Sequence, residues 1–319
     1  MDISANLLDR YLYEIADYTE CLNIVKIGCG TCTDKDSLIY AHLLNTQGAA
    51  YYELNQLGPC RDAFQAAIDI RSEKLPPLHP ELAISYANLG NVDAAKGNLI
   101  EALDWFQKAV DIREQMPDTA ATMLGLNYLQ IGRVHYLRGD WESAYELYQR
   151  SEGIFNKRIG QNRMYTADLH YAYGNLEFAQ KKFIEASRSY EQCRRISMDY
   201  NPLHPITSAA SYKLACCAFE QDHHRKALNL LERALEIAEI RSNGEIDGMC
   251  ARILWKKAEV LLDDPLGNRR DEGHALKIEA ELKHREIAEQ LGISLRLNEL
   301  ADDVDREESF DLLVPGYFR

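Results

Sequence analysis

The sequence predicts an all-α fold of stacked helical hairpins, an α-α superhelix, and three observations support it. First, small residues recur as Gly48, Gly90, Gly132, Gly174 and Ala215, at intervals of 42, 42, 42 and 41 residues. Second, the residues after each marker repeat in columns: small at Cys60, Ala102, Ala144, Ala186 and Ala227, large at Phe64, Phe106, Tyr148, Tyr190 and Leu231. Small residues return at Ala67, Ala109, Ser151, Cys193 and Ala234, followed by Ile70, Ile112, Ile154, Ile196 and Ile237. Offsets of four, three and three put these columns on one face of a helix. Third, Gly97 and Gly139 stand between marker and columns, where a first helix must end and the chain must turn through a left-handed cap.

Each unit is therefore read as two antiparallel helices. Small residues at the marker and twelve positions later let the two backbones approach, and the large ring is expected to fill the gap toward a neighbour. Such a unit cannot bury its outer face alone, so copies stack. Taken in order, the hairpins fall at about 7–28, 37–75, 78–116, 119–158, 162–200, 203–241 and 247–291, making a solenoid of six to seven pairs over 1–298. The first is degenerate, with Cys21, Val25 and Gly28 in the small, large and small columns. The last takes Ala258 as its marker and lengthens its turn around Pro265 and Gly267. The tail 299–319 carries Leu312, Leu313, Val314, Tyr317 and Phe318, too apolar a set for a solvated end, and is expected to dock as a cap.

Composition fits this reading. The 319 residues are 46% hydrophobic and 27% charged, enough to bury a large core either as one elongated array or as two domains. The opening residues lack a basic start and an apolar stretch, and no apolar run approaches the roughly 20 residues of a membrane span, so a cytoplasmic, membrane-free protein is expected. Eight cysteines in such a chain are read as free thiols. A formal charge of -14 opposes approach to phosphate backbones and anionic lipid, so no nucleic-acid partner is expected.

The pattern resembles the tetratricopeptide repeat, with small residues early, glycine at the turn, and alanine, aromatic and alanine in the second helix. The 42-residue period exceeds that family's usual length of about 34. Together with the "LHP" openings at Leu78–Pro80 and Leu203–Pro205, it is similar to the kinesin-light-chain type. That type also forms C-terminal arrays in fungal and bacterial nucleotide-binding signalling proteins. The signature residues are packing residues, so the resemblance speaks to fold far more than to function.

No phosphate loop, dinucleotide fingerprint, His-Glu-x-x-His or nucleophile-elbow motif occurs, and neither catalytic residues nor a cofactor are assigned. "CGTC", Cys29 to Cys32, has a plausible thiolate spacing. A closed zinc site needs four ligands and no second such pair exists, so no metal is assigned and the pair is read as loop cysteines. His79 and His204 belong to "LHP" and are read as capping or packing residues.

In the family, the first helix of each pair lines a concave groove through positions three before, one after and four after the marker. The resemblance carries these onto Asn45, Ala87, Leu129, Tyr171 and Tyr212; onto Ala49, Asn91, Arg133, Asn175 and Cys216; and onto Tyr52, Ala94, Tyr136, Phe178 and Phe219. Rings with amides and one arginine suit an extended peptide, since amides meet backbone groups and rings take side chains. The expected partner-binding residues are Asn45, Tyr52, Asn91, Arg133, Tyr136, Tyr171, Asn175, Phe178, Tyr212 and Phe219. Each ring has packing against neighbouring helices as its alternative role. Arg133, flanked by Asn91 and Asn175 one repeat to either side, is expected to fork onto a carboxylate or carbonyl.

The carboxylate clamp that holds chaperone tails in some tetratricopeptide domains is not matched, because Ala87 and Tyr171 stand where its lysines would be. No heptad run is present to join a heavy chain. Two functions are carried forward. One is a non-catalytic scaffold or sensor array holding a peptide or protein partner in the groove. The other is a helical enzyme or small-molecule receptor with a closed pocket lined by Arg133, His135, Tyr136, Tyr171 and Phe178.

Overall fold

The computed structural model describes residues 17–116, 121–157, 163–242, 247–265, 267–293 and 308–318, and no strand occurs among the described residues. The chain divides into two compact units, Met1–Gln161 with Pro315–Tyr317, and Asn162–Val314 with Phe318–Arg319. Unit 1 holds helices α1 (Tyr18–Thr31), α2 (Leu38–Glu53), α3 (Leu57–Lys74), α4 (Pro80–Ala95), α5 (Leu99–Glu114), α6 (Ala121–Leu137) and α7 (Trp141–Lys157). Unit 2 holds α8 (Arg163–Ala179), α9 (Phe183–Tyr200), α10 (Pro205–Phe219), α11 (His224–Ser242), α12 (Gly248–Asp263) and α13 (Arg270–Leu291). Of the hairpin expected at 7–28, residues 7–16 lie outside the described residues, as do 299–307 of the tail. Within the rest, α1 buries Cys21 and Val25 as its columns require.

The repeating columns build the hairpins, in one respect differently from expectation. The large ring turns onto the marker of its own hairpin instead of toward a neighbour. A Cβ added to Gly48, Gly132 or Gly174 would come within 2.6 Å of the ring of Phe64, Tyr148 or Tyr190, and one on Gly90 within 2.7 Å of Phe106. Marker and ring thus form one interlocking pair, which fixes the distance between the two helices of a hairpin.

The turns repeat as strictly as the cores. Asn55, Gly97, Gly139, Lys181 and Asp222 all adopt left-handed backbone, with φ of 56°, 83°, 77°, 60° and 59°. In each, the residue after the left-handed position reaches back five residues, from Gln56 to Tyr51, Asn98 to Asp93, Asp140 to His135, Lys182 to Glu177 and His223 to Ala218, at 2.8–2.9 Å. The left-handed residue itself bonds the carbonyl three back, as from Gly97 to Ala94 at 3.1 Å. These two bonds make a Schellman cap, which satisfies the last carbonyls of one helix while aiming the chain into the next.

The starts of the first helices are also specified locally. Ser37 caps α2 and Asp247 caps α12 through their side-chain oxygens. At the two "LHP" openings the histidine does this work: Nδ1 of His79 accepts from the N–H of Glu81, and Nδ1 of His204 from that of Ile206, both at 3.3 Å. The proline that follows has no N–H to leave unsatisfied and already holds helical φ.

Neighbouring hairpins of unit 1 are joined by buried arginines. Arg71 of α3 donates to Ser85 (2.7 Å) and Asn45 (3.3 Å) and pairs with Glu81 at 3.2 Å. One period later, Arg113 of α5 donates to the carbonyl of Met123 at 3.0 Å and to Asn127. In unit 2, the segment that includes the helical turn 308–311 packs onto α12 and α13. Phe310 stacks on Trp255 with centroids 5.0 Å apart and meets His284 edge-on at 4.7 Å. The backbone of Leu313 lies so close to Gly248 that any Cβ there would collide with it.

Candidate functional site

The three columns assigned to the inner helices differ in exposure. The column four after the marker, Tyr52, Ala94, Tyr136, Phe178 and Phe219, is partly exposed in all five copies. The column three before it is buried from Ala87 onward, including Leu129, Tyr171 and Tyr212. In the column between, Asn91 and Arg133 are partly exposed, whereas Asn175 is 8% exposed and Cys216 is buried.

The amides in these columns already accept hydrogen bonds within their units. Asn45 Oδ1 accepts from Arg71 and from Asn88, the latter at 2.9 Å. Asn91 Oδ1 accepts from Gln130 (3.0 Å), Gln130 accepts from Asn127 (3.1 Å), and Asn127 takes the bond from Arg113. A polar chain thus runs from the buried arginine to the inner face. In unit 2, Asn175 Oδ1 accepts from the Tyr190 hydroxyl at 2.7 Å. These amides are held in fixed orientation, as a low-dielectric interior demands of buried polar groups.

The rings have identifiable neighbours. Tyr52 stacks on Tyr317 at 5.9 Å, and Tyr317 donates its hydroxyl to Glu53. Phe178 meets Phe183 edge-on at 5.2 Å across its turn, and Phe219 meets His224 at 5.7 Å. Arg133 sits where its charge acts on the buried hydroxyl of Tyr148. His135, assigned to the alternative pocket, pairs instead with Asp140 at 2.9 Å in the turn of its own hairpin. A shallow cleft of about 350 Å³ lies over α9, α10 and α11, and its lining residues, among them Ser187, Gln192, Leu214 and Lys226, include none of that pocket's set.

A further buried cluster centres on a residue outside all three columns. Arg252 of α12 is fully buried. Its guanidinium lies over the Tyr212 ring, 4.3 Å from the centroid, and donates to the Asp311 carboxylate at 2.9 Å and the Phe318 carbonyl at 3.0 Å. Tyr171 donates its hydroxyl to the same carbonyl at 3.1 Å and meets the Phe318 ring edge-on at 6.0 Å. Burial pushes the Tyr171 hydroxyl upward, so it remains a donor at neutral pH. Burial works against the Arg252 charge, and the Asp311 carboxylate together with the nearby Tyr212 and Tyr171 more than offsets it, leaving the guanidinium firmly protonated. The sequence did carry one signal for Arg252: an arginine inside the apolar run "MCARILW" must be either paired or functional.

Cys29 and Cys32 stand at the end of α1 and just after it, both partly buried. Burial raises the Cys29 thiol, with Lys35 acting in the opposite sense. No group of three or more His, Cys, Asp or Glu side chains converges among the described residues. None of the described helices is long and apolar enough to cross a membrane.

No curated protein matches the sequence. A family model described as tetratricopeptide repeat matches residues 39–115, 119–199 and 165–240, well over half of the chain. Among solved structures, a Rap protein complexed with competence and sporulation factor is similar over 98% of this chain and 88% of that chain, with 13% identity and a TM-score of 0.64. The Rap conjugation gene regulator of plasmid pLS20, in complex with a Phr peptide, is similar over 90% and 75%, with 15% identity and a TM-score of 0.64. BtubC (BKLC) from P. vanneervenii is similar over 73% and 92%, with 14% identity and a TM-score of 0.50. At these identities the likeness shows a shared fold of helical repeats. Columns, turns and family model agree that the chain belongs to the tetratricopeptide repeat family, with a repeat of 42 residues in place of the usual length of about 34.

Proposed function

We propose that the chain is a non-catalytic protein-interaction scaffold whose inner helices hold an extended peptide or a segment of a partner protein. The observation that carries this reading is the partly exposed column, Tyr52, Ala94 and Tyr136 within unit 1 and Phe178 and Phe219 within unit 2, which in each unit sets apolar surface at one position of its inner helices beside oriented amides. Such a mixture offers rings to side chains and fixed polar groups to a backbone. A structure of similar fold holds a peptide, which supports the same use of the scaffold here. The formal charge of -14 disfavours a nucleic-acid partner and favours a site in which a few cations are placed deliberately, with Arg133 the leading one in unit 1.

The test is capture of partners by the tagged protein, read by mass spectrometry and repeated with Arg133→Glu and, as an outer-face control, Lys108→Glu. Reversing the charge at Arg133 should abolish capture with unchanged helical content, and the control should capture as before. If Arg133→Glu unfolds the protein, Arg133 is structural and the assignment fails. If capture and fold both persist, the partner binds elsewhere.

A further inference from the structure

We propose that Arg252, Tyr171 and Tyr212 form a peptide subsite for a segment carrying an acidic residue and, seven positions later, an aromatic one, and that residues 311–318 are the chain's own occupant of it. This rests on the scaffold reading above and names the partner chemistry for one site of it. The three side chains come from three inner helices of unit 2, α10 between α8 and α12 in the chain, and Tyr171 and Tyr212 belong to one repeating column.

Each contact tests a different property of the occupant. The Asp311 carboxylate pairs with Arg252 at 2.9 Å, which demands an acid. The Phe318 ring meets Tyr171, which demands an aromatic. The Phe318 carbonyl takes one hydrogen bond from Tyr171 and another from Arg252, which reads main chain and fixes its direction. A cap needed only for stability would be held more cheaply by apolar packing, as Phe310 is held against Trp255 just before this segment. Burying an arginine completely adds directional recognition that packing alone lacks. The Arg252 Nε, moreover, has no hydrogen-bond partner among the described residues, so the site keeps donor capacity for a ligand with one more acceptor.

The roles of the segment divide accordingly. Phe310 is the anchor, fully buried against Trp255 and His284. Residues 311–318 are the exchangeable part, with Asp311 29% exposed. A tethered occupant acts at an effective concentration of about a millimolar, so a free peptide with the same contacts binds the intact chain poorly until its partner surface adds to them.

The probe is fluorescein-labelled DLLVPGYF, followed by anisotropy with the full chain. The variant Asp311→Asn/Phe318→Ala, which vacates the subsite and keeps Phe310, should bind it at least about tenfold more tightly than the unmodified chain. Adding Arg252→Met should return binding to background. A folded Asp311→Asn/Phe318→Ala chain that binds no better overturns the proposal and makes the segment a fixed cap. Hydrogen exchange decides the case even if that variant fails to fold. With the unmodified chain and excess unlabelled peptide, the amides of 311–318 should exchange faster while those of α12 do not, and unchanged exchange overturns it. If the peptide fails but partner capture still depends on Arg133, only this subsite falls. If the peptide binds and capture ignores Arg133, the Arg133 site falls and this one stands.

Discussion

Where α3 hands over to α4 in unit 1, Arg71 is buried with Ser85, Asn45 and Glu81 around it; where α9 hands over to α10 in unit 2, the same column holds Ser197. Ser197 accepts from Thr207 at 2.9 Å, and Ala210 stands where Ser85 does when both are counted from "LHP". α10 is the more closely covered helix: of its residues only Pro205, Lys213 and Phe219 escape burial. Around the arginine, α4 keeps partly exposed Asn88 and Asn91 at its surface. The columns that set backbone distance are thus fixed by geometry, while a joint accepts any residue set that fills its volume and satisfies its polar groups.

Removing each joint residue should separate the two solutions most clearly. Arg71→Ala leaves buried Ser85 and partly buried Asn45 facing a hole and Glu81 unpaired, a loss of about 3 kcal/mol, held to the low end because Glu81 is itself partly exposed. Ser197→Ala deletes a hydroxyl that accepts from Thr207 and donates to the Arg194 carbonyl, and should cost about 1 kcal/mol. Urea unfolding of the two variants checks this, and equal losses would mean that the arginine is not what holds its joint.

The second contrast concerns the two histidine caps, alike in geometry but set in different surroundings. His204 lies close to Arg241, and burial first, then that guanidinium, lowers its pKa to about 4. The folded chain therefore keeps His204 neutral while the unfolded chain takes up a proton near pH 6.5. The unfolded state binds more protons between those values, so stability is full above pH 6.5 and declines as pH falls toward 4, with at most about 3 kcal/mol lost through this group. His204→Asn preserves the cap acceptor and removes the titration. Its unfolding free energy should fall less steeply than the parent's across that interval. Parallel slopes would show that His204 does not carry this part of the acid response.

These joints also show how far the sequence was readable. Period, hairpins and the marker and ring columns were legible because they express one interlock repeated, with Gly90 under Phe106 and Gly174 under Tyr190. Arg71 and Arg113, 42 residues apart and each directly after a column isoleucine, were legible in principle, but the column breaks at Phe155 and disappears among five copies. The buried state of Tyr171 and Tyr212, and the role of Arg252, were not legible. They depend on a segment some sixty residues beyond Arg252 that obeys no period, and only its apolar composition hinted that it docks.

The smallest expected effect lies in the turns, where the two units use different residues for one backbone shape. Lys181 in unit 2 holds φ at 60°, and Asn55 in unit 1 holds 56°. A left-handed residue with an ordinary Cβ costs about 1–2 kcal/mol, which glycine avoids at the expense of a more flexible unfolded chain. Asparagine tolerates this region far better than lysine does. Lys181→Gly should therefore raise stability by about 0.5–1 kcal/mol, whereas Asn55→Gly should leave it nearly unchanged. The Schellman bonds from Lys182 to Glu177 and from Gln56 to Tyr51 are made by flanking backbone and persist in both variants, so the difference isolates the side chain's own strain. Denaturant midpoints for the pair decide it: no gain at either turn would mean that neighbours relieve the strain of the left-handed position, and an equal gain at both would mean that asparagine is strained there as much as lysine.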